Sequence, residues 1–412
     1  MSKTTKLGNV AKYSLKRITA HNVTLENFIT TDNILQNKTG IIIATNLPPQ
    51  GNTMPGYQVG NILVANIRPY LKKIWFADRD GGCSADVLVF EVDKGYYPKF
   101  VYYSLFKDDF FDHVMKGSKG TKMPRGDKNH ILDFKIPDFG FLTQQKIVAV
   151  LSSLDSKIEL NNRINAELEA MAKTLYDYWF VQFDFPDING KPYKISGGKM
   201  VWNEVLKREI PEVWKVKRLD EITNLKAGGD KPKNYSEILT DTQQIPIFSN
   251  GITNDGLYGF TDEAKILKQS ITVSARGTIG YCVLRNKPFV PIIRLIVVTP
   301  NSSYEAKFLY ERIKSMEFDN SGSVQQQLTV PQISGVKLVM PSSEILKKYD
   351  ALTSSGMKKI EINKEENQQL SELRDWLLPM LMNGQVTVGG SAEKKIKYVI
   401  EEEIRMVAEL GN

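Results

Sequence analysis

Lys157-Ile158-Glu159-Leu160-Asn161 and Lys359-Ile360-Glu361-Ile362-Asn363 are near-copies of one stretch of sequence, 202 residues apart. At the same offset Asn165 matches Asn367, so the likeness continues beyond the two quoted stretches. Repetition at a fixed offset indicates that one structural unit occurs twice in a chain. The sequence therefore predicts an internally duplicated protein.

The quoted stretches lie in two long segments whose apolar residues alternate at steps of three and four, as in a coiled-coil helix. The spacing is carried by Ile147, Leu151, Leu154, Ile158, Leu168 and Leu175 in the first segment, and by Ile360, Leu370, Leu377 and Leu381 in the second. We therefore expect one long helix in each half of the chain.

Four asparagines interrupt this apolar seam, Asn161 and Asn165 in the first segment and Asn363 and Asn367 in the second. A buried amide is costly unless it bonds another polar group. We therefore expect the two helices to pair with Asn facing Asn, which would set their register. The alternative is that the asparagines face solvent. If they do pair, replacing Asn161 and Asn363 together by Leu should raise the melting temperature and loosen the register.

The second segment starts less regularly than the first. Tyr349, Thr353 and Gly356 stand where large aliphatic side chains would complete the seam. A helical glycine costs about 1 kcal/mol relative to alanine. The sequence therefore predicts a weakened or bent helix near Gly356.

Short apolar runs bounded by turn residues precede each long segment, which predicts a mixed α/β (α+β) fold with two similar globular domains separated by two long helices. Buried strands are predicted at 41–44, 62–65, 87–90, 271–274, 281–284 and 295–298, and short helices at 99–111 and 304–315. The predicted divisions are a first domain (1–141), a first helical region (142–183), a linker (184–208), a second domain (209–341), a second helical region (342–384) and a C-terminal tail with a short helix (385–412).

The composition is that of a folded soluble protein, with 42% hydrophobic and 25% charged residues among 412. Cys83 and Cys282 are the only cysteines, too few for a disulfide framework. No apolar run approaches the roughly 20 residues that span a bilayer. We therefore expect a cytoplasmic protein with reduced thiols.

The formal net charge is +7, which favours a polyanionic partner. Residues 1–142 contain 19 Lys and Arg against 13 Asp and Glu, whereas residues 209–341 contain 16 against 14. The excess of positive charge therefore lies mainly in the first domain. A merely solubilising surface remains the alternative.

Several loops combine cations with glycine, amide or aromatic residues, the types that contact phosphates and base edges of DNA. The candidate DNA-binding residues of the first domain are Arg68, Tyr70, Lys72, Lys73, Lys116, Lys119, Lys122, Arg125, Lys128 and Asn129. Those of the second domain are Lys231, Lys233, Asn234, Tyr235, Asn250, Arg276, Thr278, Gln325 and Gln326. Mobile, solvated loops are the alternative interpretation.

No pattern of catalytic residues is present. The three histidines, His21, His113 and His130, do not have metal-ligand spacing, so no metal site is predicted. The chain lacks a glycine-rich phosphate loop ending in Gly-Lys-Ser/Thr, which argues against ATP chemistry. Asn46-Leu47-Pro48-Pro49-Gln50 only partly matches a methyltransferase loop, and no cofactor-binding glycine motif precedes it. We therefore expect a protein that catalyses nothing itself.

Two unlike DNA-binding domains on a paired-helix spacer would suit a split, asymmetric DNA site with an unread gap. A helix of about 40 residues is roughly 60 Å long at about 1.5 Å per residue, more than one turn of DNA. One alternative is a coiled-coil scaffold or clamp that binds DNA without reading its sequence. Another is a self-contained modification enzyme, against which the missing cofactor motif argues.

The sequence resembles the specificity subunits of type I restriction-modification systems over nearly its whole length. The likeness is carried by Leu142–Leu151 continuing to Asn162, Leu175–Phe180, Ile210-Pro211-Glu212-Val213-Trp214, and Ser274–Gly280. The first domain lacks a clear counterpart of the Pro-Glu-x-Trp opening, which leaves its start uncertain.

The resemblance implies two target-recognition domains, an antiparallel pair of helices, and no catalysis by this subunit. It also implies that two methyltransferase (M) subunits dock along the helices and that restriction (R) subunits bind to that core. The partner subunits would then bind S-adenosylmethionine, ATP and Mg²⁺, with none bound by this subunit. The chemistry served would be adenine N6 methylation with base flipping.

Near the helix ends there are more aromatic and methionine side chains than the seam between two helices can bury. The candidate partner-binding residues are Tyr178, Trp179, Phe180, Trp376 and Met380. Large aromatics often anchor protein interfaces. The alternative is that they cap the junction between the helices and the recognition domains.

Overall fold

A computed structural model describes residues 3–49, 51–318 and 327–388. The chain divides into two compact units, Met1–Asn162 with Lys364–Asn412, and Arg163–Asn363. Each unit contains one globular domain and parts of both long helices. No helix in the described ranges combines the length and apolarity that crossing a membrane requires.

The first unit begins with ten strands and three short helices. Its strands are β1 (Thr4–Lys6), β2 (Ala11–Tyr13), β3 (Arg17–Thr19), β4 (Phe28–Ile29), β5 (Thr53–Tyr57), β6 (Ile62–Ala65), β7 (Ile74–Phe76), β8 (Gly81–Cys83), β9 (Val87–Val92) and β10 (Lys135–Pro137). Its helices are α1 (Pro98–Phe106), α2 (Asp108–Lys116) and α3 (Lys128–Leu132), followed by the long helix α4 (Phe141–Tyr176), which continues into the second unit.

The second unit contains eleven strands and three short helices. Its strands are β11 (Met200–Asn203), β12 (Arg208–Pro211), β13 (Lys215–Arg218), β14 (Thr223–Ala227), β15 (Ile245–Phe248), β16 (Leu257–Thr261), β17 (Ser270–Val273), β18 (Cys282–Arg285), β19 (Val290–Pro291), β20 (Ile296–Pro300) and β21 (Lys337–Met340). Its helices are α5 (Leu219–Ile222), α6 (Ala306–Lys314) and α7 (Val330–Ser334), followed by the long helix α8 (Ser343–Met382), which continues into the first unit.

The larger sheets of the two globular domains share one strand topology. A four-stranded antiparallel sheet has the order β2-β9-β6-β7 in the first domain and β14-β20-β17-β18 in the second. In each domain the strand just before the long helix pairs with an early strand, β1 with β10 and β13 with β21. The predicted duplication is therefore present in the three-dimensional structure as well.

A second, smaller sheet completes each domain, with order β3-β5-β8-β4 in the first and β16-β15-β19 in the second. Strands β6 and β17 lie inside the larger sheets and are buried along their whole length. β6 is continuously apolar, whereas β17 alternates the hydroxyl residues Ser270 and Thr272 with Ile271 and Val273. The predicted strands near 62–65, 87–90, 271–274, 281–284 and 295–298 are confirmed to within one or two residues.

The long helices α4 and α8 run antiparallel and contact each other in both units. In the first unit Asp155 lies beside Arg374, and Asn161 beside Asn367. In the second unit Asn165 lies beside Asn363, and the Tyr349 hydroxyl donates to the carbonyl of Ala172 at 3.2 Å. Rising numbers on one helix meet falling numbers on the other, which defines the antiparallel direction.

Helix α8 is continuous through Gly356, so the helix does not break there. Tyr349 is fully buried and Thr353 nearly so, and they replace the expected aliphatic side chains in the seam. A β-carbon at Gly356 would stand 3.5 Å from a Leu168 methyl, an ordinary contact. A β-carbon would therefore fit beside Leu168, so the packing at this position does not require glycine.

Two other predictions about local structure are wrong. Ile41–Ala44 is not a strand, and Ile42 and Ile43 are 51% and 62% exposed, because no neighbouring strand runs beside them. The predicted linker 184–208 includes β11 and the turn that connects it to β12, a hairpin with Val201 opposite Ile210. Most of the predicted C-terminal tail, from residue 389, lies outside the described residues.

Candidate DNA interface and helix-pair seam

Two loops that are far apart in sequence meet in the first domain. The amide of Arg68 donates to the carbonyl of Pro124 at 2.8 Å, and the amide of Gly126 donates to the carbonyl of Asn66. Ile67 and Arg125 also form an isolated β-bridge. The structure therefore brings together the two sets of candidate residues that the sequence places at 68–73 and 116–129.

Helix α3 fixes the end of the second loop. The Asp127 carboxylate accepts from the amides of Asn129 and His130, both at 3.0 Å, as an N-cap. The rings of His113 and His130 stack at 4.1 Å, and each ring nitrogen lies within hydrogen-bond distance of the other residue's carbonyl. The loop is thus anchored at both of its ends.

Not all candidate cations of the first domain are free. Lys72 pairs with Asp108 at 2.8 Å, and Lys73 donates to the carbonyl of Thr31. Burial lowers the pKa of Lys73. Lys72 and Lys73 therefore anchor the turn after Arg68, and their contact with DNA stays a prediction.

The remaining candidates of this domain lie at the surface. Arg125 pairs with Asp86 at 3.0 Å, and Lys119 lies 3.6 Å from Asp127. Both side chains remain largely exposed, and surface ion pairs of this kind are weak enough to exchange for a phosphate. The other exposed candidates are Arg68, Tyr70, Lys116, Lys122, Lys128 and Asn129.

The candidate loops of the second domain are also assembled by side-chain bonds. Asn250 accepts from the amide of Ala275 at 2.7 Å and donates to the carbonyl of Ile293 at 2.6 Å. Asn234 donates to Asp262 and accepts from Gln243. Both asparagine amides are thus engaged in bonds within the domain, and their contact with DNA stays a prediction.

Cationic and hydroxyl candidates of the second domain remain at the surface. Arg276 donates to the Gln327 side chain at 2.8 Å, and Lys231 stands 3.7 Å from the centre of the Tyr235 ring. Lys233 and Thr278 are exposed. Gln325 and Gln326 lie outside the described residues.

Sequence reasoning missed a buried arginine that supports these loops. Arg285 lies 3.6 Å from the Phe248 ring centre and donates to the Thr272 hydroxyl and the Asp255 carbonyl. Burial lowers the pKa of Arg285 to about 10. Tyr281 donates to the Asp255 carboxylate at 2.6 Å. Nothing in the local sequence distinguishes this arginine from an exposed one.

The seam asparagines pair across the two helices as amide–amide hydrogen bonds. Asn161 donates to Asn367 at 2.9 Å, and Asn363 donates to Asn165 at 2.8 Å. Asn161, Asn165 and Asn363 are buried. The partners are therefore the crosswise pairs, because the helices are antiparallel, and the sequence-equivalent residues Asn161 and Asn363 do not face each other.

The aromatic candidates for partner binding separate into two groups. Trp179 and Phe180 are 6% and 7% exposed and pack in the second unit's core against Tyr349, so the prediction that they face a partner is wrong. A π-helical turn, Asp177–Val181, turns both rings inward. Tyr178 is 37% and Trp376 56% exposed, and Met380 is half-buried.

Comparison with known proteins agrees with this duplicated architecture. A family model described as the type I restriction modification DNA specificity domain matches residues 3–170 and again residues 211–372. The chain belongs to this family. As a specificity subunit it confers DNA sequence specificity on a type I system, assembles with M and R subunits, and is not itself catalytic.

Curated relatives span most of the specificity subunit. The type I restriction enzyme HindI specificity subunit of Haemophilus influenzae is 25% identical over 92% of this chain and 98% of its own length. The MjaIX specificity subunit of Methanocaldococcus jannaschii is 27% identical over 71% of this chain and 70% of its own. The crystal structure of the S subunit from M. genitalium covers 92% of this chain and 96% of that chain with a TM-score of 0.54 and 18% identity, which shows a shared fold.

Proposed function

We propose that the specificity subunit recognises a bipartite, asymmetric DNA sequence, with one half-site read by each globular domain. The supporting observation is one topology of the larger sheet that carries two unlike sets of loops. A common framework presents each loop set in the same way, while the different loop residues would select different bases. Two unlike half-sites follow from that difference.

The chemistry of the exposed loop residues supports contact with both backbone and bases. Lysines such as Lys122 and Lys233 would pair with phosphates, which positions a protein without selecting a sequence. Arg125, Arg276 and Asn129 could bond base edges in the major groove, where each base pair has its own pattern of donors and acceptors. The loops therefore supply both kinds of contact.

Two methyltransferase subunits would assemble on each specificity subunit, because a duplicated framework offers two similar docking surfaces. In this proposal S-adenosylmethionine binds to those partners, ATP and Mg²⁺ act with the restriction subunits, and the specificity subunit binds no cofactor. Among the described residues, no group of three or more His, Cys, Asp or Glu could hold a metal ion. The methyltransferase would flip the target adenine out of the duplex to reach N6.

Mapping methylated adenines on DNA modified by the assembled complex tests the proposal. We expect a split motif of two unlike half-sites around a gap of unread bases. Arg125→Ala should relax one half-site only, because that residue lies in one domain. Methylation at a single continuous or palindromic motif would contradict the bipartite proposal.

A sequence-independent DNA scaffold is the competing function. Competition between duplexes at one fixed salt concentration separates the two, because phosphate contacts are common to all duplexes and weaken with salt. We expect the complex to prefer duplexes carrying the split motif by at least a thousandfold. Equal competition by unrelated duplexes would support the scaffold.

A further inference from the structure

A strained turn in the second domain carries Arg294, an exposed arginine that is not among the candidate DNA-binding residues. The turn Ile292–Leu295 is closed by the Leu295 amide, which donates to the Ile292 carbonyl at 3.0 Å. Both central residues are left-handed, with φ of 51° at Ile293 and 60° at Arg294. Such turns strongly favour Asn-Gly, and a β-branched residue in this region is an outlier.

Backbone hydrogen bonds to one other segment, Gly228-Gly229, hold this turn in its unfavourable conformation. The amides of Ile293 and Arg294 donate to the carbonyls of Gly229 and Gly228 at 2.9 and 3.0 Å. A β-carbon at Gly228 would lie 2.8 Å from the Ile292 amide nitrogen, so this close approach requires glycine. Strained backbone persists only where the surroundings fix it, and it is concentrated at functional sites.

Asn250 connects the strained turn to the loop that carries Arg276. Its amide nitrogen donates to the Ile293 carbonyl, and its amide oxygen accepts from the Ala275 nitrogen. Arg294 directly follows Ile293, and Arg276 directly follows Ala275. One side chain therefore sets the backbone immediately before two exposed arginines.

The Arg294 side chain differs from Arg276 and Lys231, two other exposed cations of these loops. Arg276 is bonded to Gln327, and Lys231 lies against the Tyr235 ring. Within residues 3–49, 51–318 and 327–388, the guanidinium of Arg294 has neither an ion pair nor a hydrogen bond. A rigid backbone thus carries an exposed donor group without a partner in this part of the chain.

We propose that Arg294 reads a guanine in the half-site recognised by the second domain, and that Asn250 is a positioning residue for it. This inference rests on the proposed function. A guanidinium can bond O6 and N7 of guanine together, but only with its fork correctly oriented. A fixed turn supplies that orientation, whereas a phosphate contact tolerates a mobile loop.

The test uses the full complex of specificity and methyltransferase subunits. Methylated adenines are mapped, and binding is measured against duplexes that each differ from the motif at one base pair. Arg294→Lys keeps the charge and loses the fork, so discrimination should fall about tenfold or more at one G·C pair of one half-site. Lys215→Ala, an exposed lysine of the same domain, is the matched surface control and should leave the motif unchanged.

Asn250→Asp tests the positioning role. The aspartate still accepts from Ala275 but cannot donate to Ile293, so the turn loses one of its supports. We expect the same G·C pair to become degenerate while the other half-site and the melting temperature of the chain are retained. Loss of the whole motif, or an unchanged motif, would contradict this role.

The outcomes for Arg294 separate this inference from the proposed function. Uniform weakening on every duplex would identify a phosphate contact and overturn base reading, as would an unchanged motif. If the unsubstituted complex produces no split motif, the proposed function fails first. If the unsubstituted complex produces a split motif and the Arg294 variants produce the same motif, the inference about Arg294 fails alone.

Discussion

At the scale of the residue, the Asp108 carboxylate pairs with two lysines of the first domain. It lies 2.9 Å from Lys38 and 2.8 Å from Lys72. Burial raises the pKa of the Asp108 carboxyl, but hydrogen bonds from Lys72 and Lys38 and their charges outweigh it and hold the pKa below its ordinary value. One carboxylate thus neutralises two cations beside the Arg68 loop.

The Asp108 ion pairs should stabilise the fold in a pH-dependent way. A group with a lowered pKa in the folded state stabilises above its unfolded-state pKa of about 4 and loses that contribution as pH falls through its folded-state pKa. Asp108→Asn should therefore lower the free energy of unfolding by up to about 1 kcal/mol at pH 7. Chemical denaturation should show this difference shrinking below pH 4, and a constant difference across that range would contradict the assignment.

At the scale of the element, the stability of the helix pair depends on which asparagine amides are hydrogen-bonded across it. Each such asparagine pair is called a rung. Asn363→Leu alone should destabilise the chain by about 1–3 kcal/mol, because Asn165 loses its partner. Asn165→Leu with Asn363→Leu removes both amides, including the Asn363 oxygen, which has no hydrogen-bond partner among the described residues. That double variant should be about as stable as the unsubstituted chain, or more stable, with a less specific register.

The control is the pair that sequence matching alone would choose. Asn161→Leu with Asn363→Leu removes one partner from each of two asparagine pairs. Asn165 then loses Asn363, and the Asn367 oxygen loses Asn161, although Asn367 still donates to Asn162. This double variant should therefore be less stable than the same-rung double variant in chemical denaturation, contrary to the increase expected from the sequence. Equal stability of the two double variants would contradict the pairing of Asn165 with Asn363 and of Asn161 with Asn367.

At the scale of the whole molecule, assembly with the methyltransferase should depend on Trp376 and not on Trp179. Trp376→Ala removes an exposed ring, so stability should be retained while affinity for the methyltransferase subunit falls at least tenfold. Trp179→Ala opens the second unit's core and should cost about 3–5 kcal/mol of stability. Co-purification and thermal melting of both variants distinguish these effects, and unchanged assembly by Trp376→Ala would remove that residue from the interface.

The sequence by itself determined the duplication, the two long helices, most of the central strands and the family. These features depend on local periodicity and on repeated motifs, which act through neighbours along the chain. Even the apolar seam and its four asparagines could be read in this way. The run Ile41–Ala44 shows the limit, because strand-forming residues still need a neighbouring strand to pair with.

Only the tertiary structure decided which asparagines pair, which lysines are neutralised and which aromatics are buried. Asn165 meets Asn363, Lys72 meets Asp108, and Trp179 packs on Tyr349. Each of these contacts joins residues that are distant in sequence, and burial and pairing depend on such neighbours. The left-handed turn at Arg294 has the same origin, since its conformation is imposed by hydrogen bonds to segments more than forty residues away.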